Sequence, residues 1–198
     1  MIKEEAPFMK IIYFDCFSGI AGDMTIGALL DLGLPFEYLK EQLGKLNISG
    51  YQISQNIVER HKISAVKFDV NVTEDKKHRH LNDMLEIITA SELSNRIKEI
   101  SCRAFERLAE AEAKIHNSAP DKVHFHEVGG LDAIIDIVGS AIGSEYFKPD
   151  SVYAGQIMLG RGTAKSSHGV IPIPAPATLE ILKGVPVKFA ESEGESRH

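Results

Sequence analysis

Basic charge is in short supply in this 198-residue chain: 22 Lys and Arg stand against 28 Asp and Glu, a formal net charge of −6. Without a basic excess, nonspecific nucleic-acid binding is not expected. Long apolar runs are also missing. None approaches the ~20 residues that span a bilayer, so no membrane segment is expected. The opening stretch, MIKEEAPFMK, carries acidic side chains and no long apolar region, which is unlike a secretory signal. Cysteine occurs only at Cys16 and Cys102. Two cysteines cannot build a disulfide framework, and reduced thiols in a cytoplasmic setting are the expectation. No internal repeat and no domain linker stands out. What remains is ordinary globular composition, 43% hydrophobic and 25% charged. A chain of this length buries a sizeable core without staples. The exception is histidine, with eight residues that are not scattered.

The order of patterns along the chain predicts an α/β (α+β) fold, a single compact domain with a mixed sheet and packed helices. Residues 1–8 read as an unpatterned extension, with Met9 as a natural start. A buried strand is expected over Lys10–Asp15, then a glycine-containing turn and an apolar helix ending near Leu32, with Gly33 as its stop. Pro35 opens a second helix reaching about Leu46. Tyr51–Arg60 and Ile63–Val72 alternate apolar and polar residues, which predicts an antiparallel hairpin. Its His61-Lys62 turn lacks the glycine that tight primed turns prefer. A polar stretch, Thr73–His80, precedes a short helix over Leu81–Ala90.

The clearest helical period runs from Ser94 to about Asn117, with Ile97, Ile100, Ala104, Leu108, Ala111 and Ile115 as one stripe and Glu110–Lys114 as an i,i+4 pair. That stripe is expected to pack on the sheet of the same domain; a partner-binding coiled coil is the alternative. After the strand-like Val123–Val128 come Gly129-Gly130 and a nearly all-apolar helix from Leu131 to about Tyr146. Ser151–Leu159 is strand-like, and Gly160-Arg161-Gly162 is a turn. The prolines of Val170–Pro176 keep that segment out of a central strand. A short helix over Ala177–Lys183 is stopped by Gly184.

Chemistry concentrates in five places. His124 and His126 are two apart, so in a strand both imidazoles share a face and could meet one metal ion. Two solvent-facing histidines on an edge strand are the alternative. Glu127 follows directly. A second pair, His78 and His80, has the same spacing at a strand-to-helix junction, where a solvated charged turn is the competing reading. Imidazole suits zinc, copper, nickel and iron better than calcium or magnesium. The turn after the first strand carries Asp15, Cys16, Ser18, Gly19, Gly22 and Asp23. Its small residues let backbone amides approach an anion at a helix N-terminus, or Ser18 and Asp23 simply cap the helix. Asp15 stands just beyond a strand's carboxyl end, where α/β folds often bind ligands. Cys16 is a soft metal ligand or a small buried apolar residue. Asp132 and Asp136 lie four apart on an otherwise apolar helix. Asp132 suits a first helical turn; Asp136 is deeper, and burying its charge is costly unless it is paired or bound. Arg161 and Lys165 could hold a phosphate or carboxylate, with His168 beyond them.

Together these stretches resemble the nickel-insertion protein family of the lactate racemase system. The matching segments are Phe14–Met24, His78-Arg-His80, Val123–Gly129 with Asp132 and Asp136, and Gly160-Arg-Gly162 through His168 to Thr178. The likeness covers about Met9 to Phe189, leaving 190–198 as an unmatched tail that includes His198. Position 130 is Gly where the family has a small residue such as alanine. The family, by this resemblance, inserts nickel into pyridinium-3,5-bisthiocarboxylic acid mononucleotide to form the nickel-pincer nucleotide, a CTP-dependent cyclometallation of the lyase class. It normally continues past Phe189 into a second domain that binds CTP with Mn or Mg. Residues 9–189 therefore correspond to its N-terminal domain, either as a separate frameshift product or as a truncated chain.

The resemblance implies a site that binds nickel, cradles an anion and accepts a proton. His78, His80, His124 and His126 are the implied nickel ligands, with Cys16 a softer one. The Ser18–Asp23 turn, including Gly19 and Gly22, or Arg161 would hold the substrate's phosphate. Asp15, Glu127 or His168 would take the proton, because a base must reach it by hydrogen bond. The expected partners are the pyridinium mononucleotide, the CTP-binding part and, from the family's assemblies, a second copy of the chain. A nickel metallochaperone without chemistry is the competing class. A metal-dependent barrel hydrolase fits less well, since the chain is shorter than the ~250 residues of such a barrel.

Overall fold

The apolar run after Lys10 forms β1 (Ile11–Phe14), and the turn beyond it leads into α1 (Gly22–Asp31). The computed structural model describes residues 8–73, 79–123, 125, 130–166 and 169–190. α1 buries Ile26, Gly27, Leu29 and Leu30. It closes on Gly33 with the paired hydrogen bonds Leu34 N to Leu29 O and Gly33 N to Leu30 O, both 3.0 Å. Pro35 caps α2 (Phe36–Gly44), which stops two residues short of the expected Leu46.

The hairpin β2 (Tyr51–Arg60) and β3 (Ile63–Val72) matches its sequence pattern residue for residue, in the register Arg60↔Ile63. His61 and Lys62 take the left-handed φ values (53° and 67°) that a two-residue primed turn demands, without glycine at either place. β3 lies across α1. A β-carbon at Gly27 would sit 2.5 Å from the Val66 carbonyl oxygen, so only glycine permits the helix and strand to come this close. This contact swings the outer end of the hairpin over the turn between β1 and α1.

Two helices follow, α3 (Leu81–Ala90) and α4 (Asn95–Ile115). The Ser94 hydroxyl caps α4 by accepting from Ile97 N, and it donates to Glu145. Of the expected stripe on α4 Ile97 and Ala111 are buried, but the buried face also takes in Ser101, Phe105, Ala109 and Ala113. Ile100 and Leu108 are only partly buried, and Ile115 is exposed. The physical reason is the neighbours: α4 packs on other helices, α3 on one side and the next long helix on another, not on a sheet. Lys114 likewise reaches across to Glu180 at 2.6 Å instead of pairing with Glu110.

A 3-10 turn (Pro120–Lys122) leads to the segment carrying Val123 and Phe125, both buried, with Phe125 edge-on to Phe105 at 6.5 Å. α5 (Leu131–Phe147) is apolar on nearly every side and is correspondingly buried by α1, α2 and α4. The expected strand 151–159 is broken by Gly155 into β4 (Ser151–Ala154) and β5 (Ile157–Leu159). β6 (Gly162–Ser166), β7 (Gly169–Ile173), α6 (Pro176–Ile181) and β8 (Val187–Phe189) complete the chain. Pro172 is accommodated because β7 pairs on one edge only.

The pairings are mixed, as expected, but they are distributed over four two-stranded sheets among the described residues. β1–β4 and β5–β8 are parallel; β2–β3 and β6–β7 are antiparallel. The core lies between α1, α5, α4 and β3, around Ile26, Leu39, Phe68, Phe105, Ile135 and Ile142. None of the described helices is long and apolar enough to cross a membrane.

Candidate functional site

The turn from β1 into α1 is the hinge of the site. Cys16 closes its first step, its carbonyl accepting from Gly19 N at 3.2 Å, and Gly19 adopts φ 100°. Asp15 and Ser18 are exposed, whereas Cys16 is buried. Burial first, and the neighbouring Asp15 charge second, push the Cys16 thiol up. That favours the protonated thiol, the less reactive of the two states weighed for it. Ala21, not Ser18, is the N-cap of α1 and supplies no side-chain hydrogen bond. Asp23 sits in the first turn and accepts from Met24 N at 2.8 Å.

The N-terminus of α5 meets that of α1. Asp136 packs so close to Gly22 that a β-carbon there would be 2.5 Å from the Asp136 Cβ. The Asp136 carboxyl is pushed up to about 7, by burial first and then by the charges of Asp23 and Asp132; the Asp23 backbone N–H acts in the opposite direction. Its Oδ1 is buried and has no hydrogen-bond partner among the described residues. It borders an otherwise mainly apolar hollow of about 310 Å³ between β1, α1, α4 and α5. The depth that sequence attributes to Asp136 is therefore what the fold imposes on it, and the charges of Asp23 and Asp132 add to the cost.

On the other side of the turn lies an open cleft of about 530 Å³. One wall is Asp15, Phe17, Ser18, Gly19, Asp23 and Met24. The other wall is the outer end of the β2–β3 hairpin, which brings Arg60, His61 and Lys67. Asp15, Ser18, Gly19 and Asp23 are thus brought together as expected, and Gly22 lies at the back of the same turn. Arg60, His61 and Lys67 escaped the sequence reading. Their only local signal was a cationic, glycine-free hairpin turn, and nothing local says what that turn covers.

Other expected residues stand apart. His80 is the N-cap of α3 in a capping box, its backbone N–H donating to Asp83 at 2.8 Å. Arg161 lies over the Phe189 ring, 5.4 Å from its centroid. Neither lines the cleft. His78, His124, His126, Glu127 and His168 lie outside the described residues. Among the described residues no three His, Cys, Asp or Glu side chains form a ready metal-ligand group.

The cleft at the end of β1, beside the N-terminus of α1, stands where α/β proteins commonly build ligand sites, beyond a strand end. The chain belongs to the nickel insertion protein family, whose model matches residues 12–197. It is 49% identical over 188 residues to a nickel insertion protein of Geobacter sp. (strain M21), covering 94% of this chain and 49% of that one. Its counterpart in Dictyoglomus thermophilum is 47% identical over 187 residues. A protein of Geobacillus kaustophilus, named pyridinium-3,5-bisthiocarboxylic acid mononucleotide nickel insertion protein, is 47% identical over 189 residues, covering 90% of this chain and 46% of that one. The chain spans about half the length of the curated relatives it matches. No solved structure matches it.

Proposed function

We propose that this chain is the nickel-handling part of an enzyme that inserts nickel into pyridinium-3,5-bisthiocarboxylic acid mononucleotide, in the cytoplasm. The observation that carries the reading is the joint one of family and site. The Phe14–Met24 motif forms a wall of a large charged cleft, in a chain 47% identical to a relative named for that substrate. Nickel is the cargo. His124 and His126, with His78 and His80, are the proposed ligands, and Asp15, Glu127 or His168 the proton acceptor.

Residues 9–189 serve as one domain of the enzyme in this reading, and a CTP- and divalent-cation-binding part completes it. Support for a missing neighbour comes from the β1–β4 pair. Parallel strands are ordinarily covered on both faces, yet Ile11, Tyr13, Val152 and Tyr153 are each at least half exposed. The test is reconstitution. The chain alone, and the chain mixed with the second half of a full-length relative, are assayed for conversion of the mononucleotide to its nickel adduct with CTP present. Turnover only in the mixture is the expected result. Absence of nickel binding by the chain together with no turnover in the mixture overturns the reading.

A further inference from the structure

We propose that the cleft between the β1–α1 turn and the β2–β3 hairpin seats the pyridinium mononucleotide, with Phe17 against the ring and Arg60 and His61 holding its phosphate. This rests on the functional reading above and assigns it a place. Three observations lead there.

The first is segregation of charge. The turn wall offers two carboxylates, Asp15 and Asp23; the hairpin wall offers Arg60, His61 and Lys67. A purely anionic ligand would be repelled by the first wall, and a purely cationic one by the second. A mononucleotide suits both, its ribose hydroxyls donating to the carboxylates and its phosphate facing the cations. The second is the state of the cations. Lys67 is bound to Asp69 on its own strand, whereas Arg60 has no ion-pair partner among the described residues. Its planar guanidinium presents a fork that matches phosphate oxygens in pairs. The primed turn brings it to the cleft together with His61: the Arg60↔Ile63 pair closes the hairpin, and both residues line the cleft.

The third is Phe17. It is 75% exposed, in a turn whose neighbour Cys16 is buried, and it borders the cleft together with Met24. A large aromatic face left in water next to two carboxylates is poorly used by folding. It is well used by a flat aromatic ring, which stacks on it. The volume, about 530 Å³, lies within the range of small-molecule sites.

The probe is nicotinic acid mononucleotide, which has a pyridinium ring, a carboxylate and a phosphate; uridine monophosphate serves as the nucleotide without a cationic ring. Calorimetry on the full chain is expected to show the pyridinium compound binding more tightly than uridine monophosphate. Arg60→Ala is expected to weaken binding by about tenfold or more, and Phe17→Ala by about fivefold, the latter selectively for the pyridinium compound. Both side chains are exposed, so unchanged melting temperatures are expected. An Arg60→Lys variant recovering only part of the affinity is the expected mark of paired phosphate recognition. Binding left unaltered in both alanine variants, or no binding at all, overturns the assignment. The two readings fail separately. Normal nickel insertion with both variants removes the cleft and leaves the function. Weakened probe binding in the variants, with no nickel insertion by the reconstituted wild type, removes the function and leaves the cleft.

Discussion

Gly22 and Asp136 are in contact across the α1–α5 junction so closely that no side chain fits between them. One residue has no β-carbon; the other carries a carboxyl whose Oδ1 is buried without a partner. The pair couples the start of the cleft-forming helix to a carboxyl that burial pushes up to about 7. Gly22→Ala is expected to cost about 1–3 kcal/mol, because the added methyl must displace Asp136 or part the two helices. Urea unfolding measures it, and an unchanged midpoint would show that the junction gives way freely.

Asp136 should make stability depend on pH. Its folded carboxyl titrates at about 7, above the ordinary value of 3.8, so the folded state holds the proton more tightly than the unfolded chain. Between pH 4 and pH 7 the folded state therefore binds more protons, and stability falls as pH rises through that window, then levels off. Asp136→Asn is expected to remove this slope and to stabilise the protein at pH 8 by about 1–2 kcal/mol, a value reduced for the group's partial exposure. Thermal melts of both proteins from pH 5 to pH 8 test it; parallel curves would refute it.

Phe125 stands in sequence between His124 and His126. It is buried and rests edge-on against Phe105. Phe125→Ala is expected to lose about 3–5 kcal/mol of stability through the cavity it leaves. Phe125→Leu should lose much less while retaining nickel binding. Equal stabilities for the two variants would show that the ring does not hold this segment.

Nickel binding itself is expected to depend on the histidines. His124→Ala combined with His126→Ala should abolish binding of one nickel equivalent measured by calorimetry, since imidazole is the favoured ligand type for this ion. Unchanged affinity and stoichiometry would remove the ligand assignment. Cys16→Ser should alter nickel affinity little, because the thiol is buried and does not line the cleft.

Much of the fold was legible in short-range patterns. The hairpin Tyr51–Arg60 and Ile63–Val72 and the helix Leu81–Ala90 fall where alternation and helical period put them. These patterns are local, so a linear reading suffices. α4 shows the limit. Its apolar residues define a helix but not the azimuth it buries, and several helix neighbours turned Ile115 outward. The strand 151–159 divides for a similar reason: β4 pairs with β1 and β5 with β8, two partners that no local pattern announces.

By itself the sequence determined the family, the order of the helices and the turn Asp15–Asp23 between the first strand and helix, since each depends on residue type and near-neighbour spacing. Tertiary structure decided what faces that wall. Packing of Gly27 beneath Val66 brings β3 onto α1 and so carries Arg60, His61 and Lys67 across more than thirty positions of chain to the cleft. It also decided the state of Asp136, since burial and the approach of Asp23 raise a carboxyl that its own helix could only mark as costly. The cleft departs from the acidic balance of the whole chain, setting Arg60, His61 and Lys67 against Asp15 and Asp23. The cations that bear on the cleft are few, and the fold, not their sequence neighbourhood, gives them something to face.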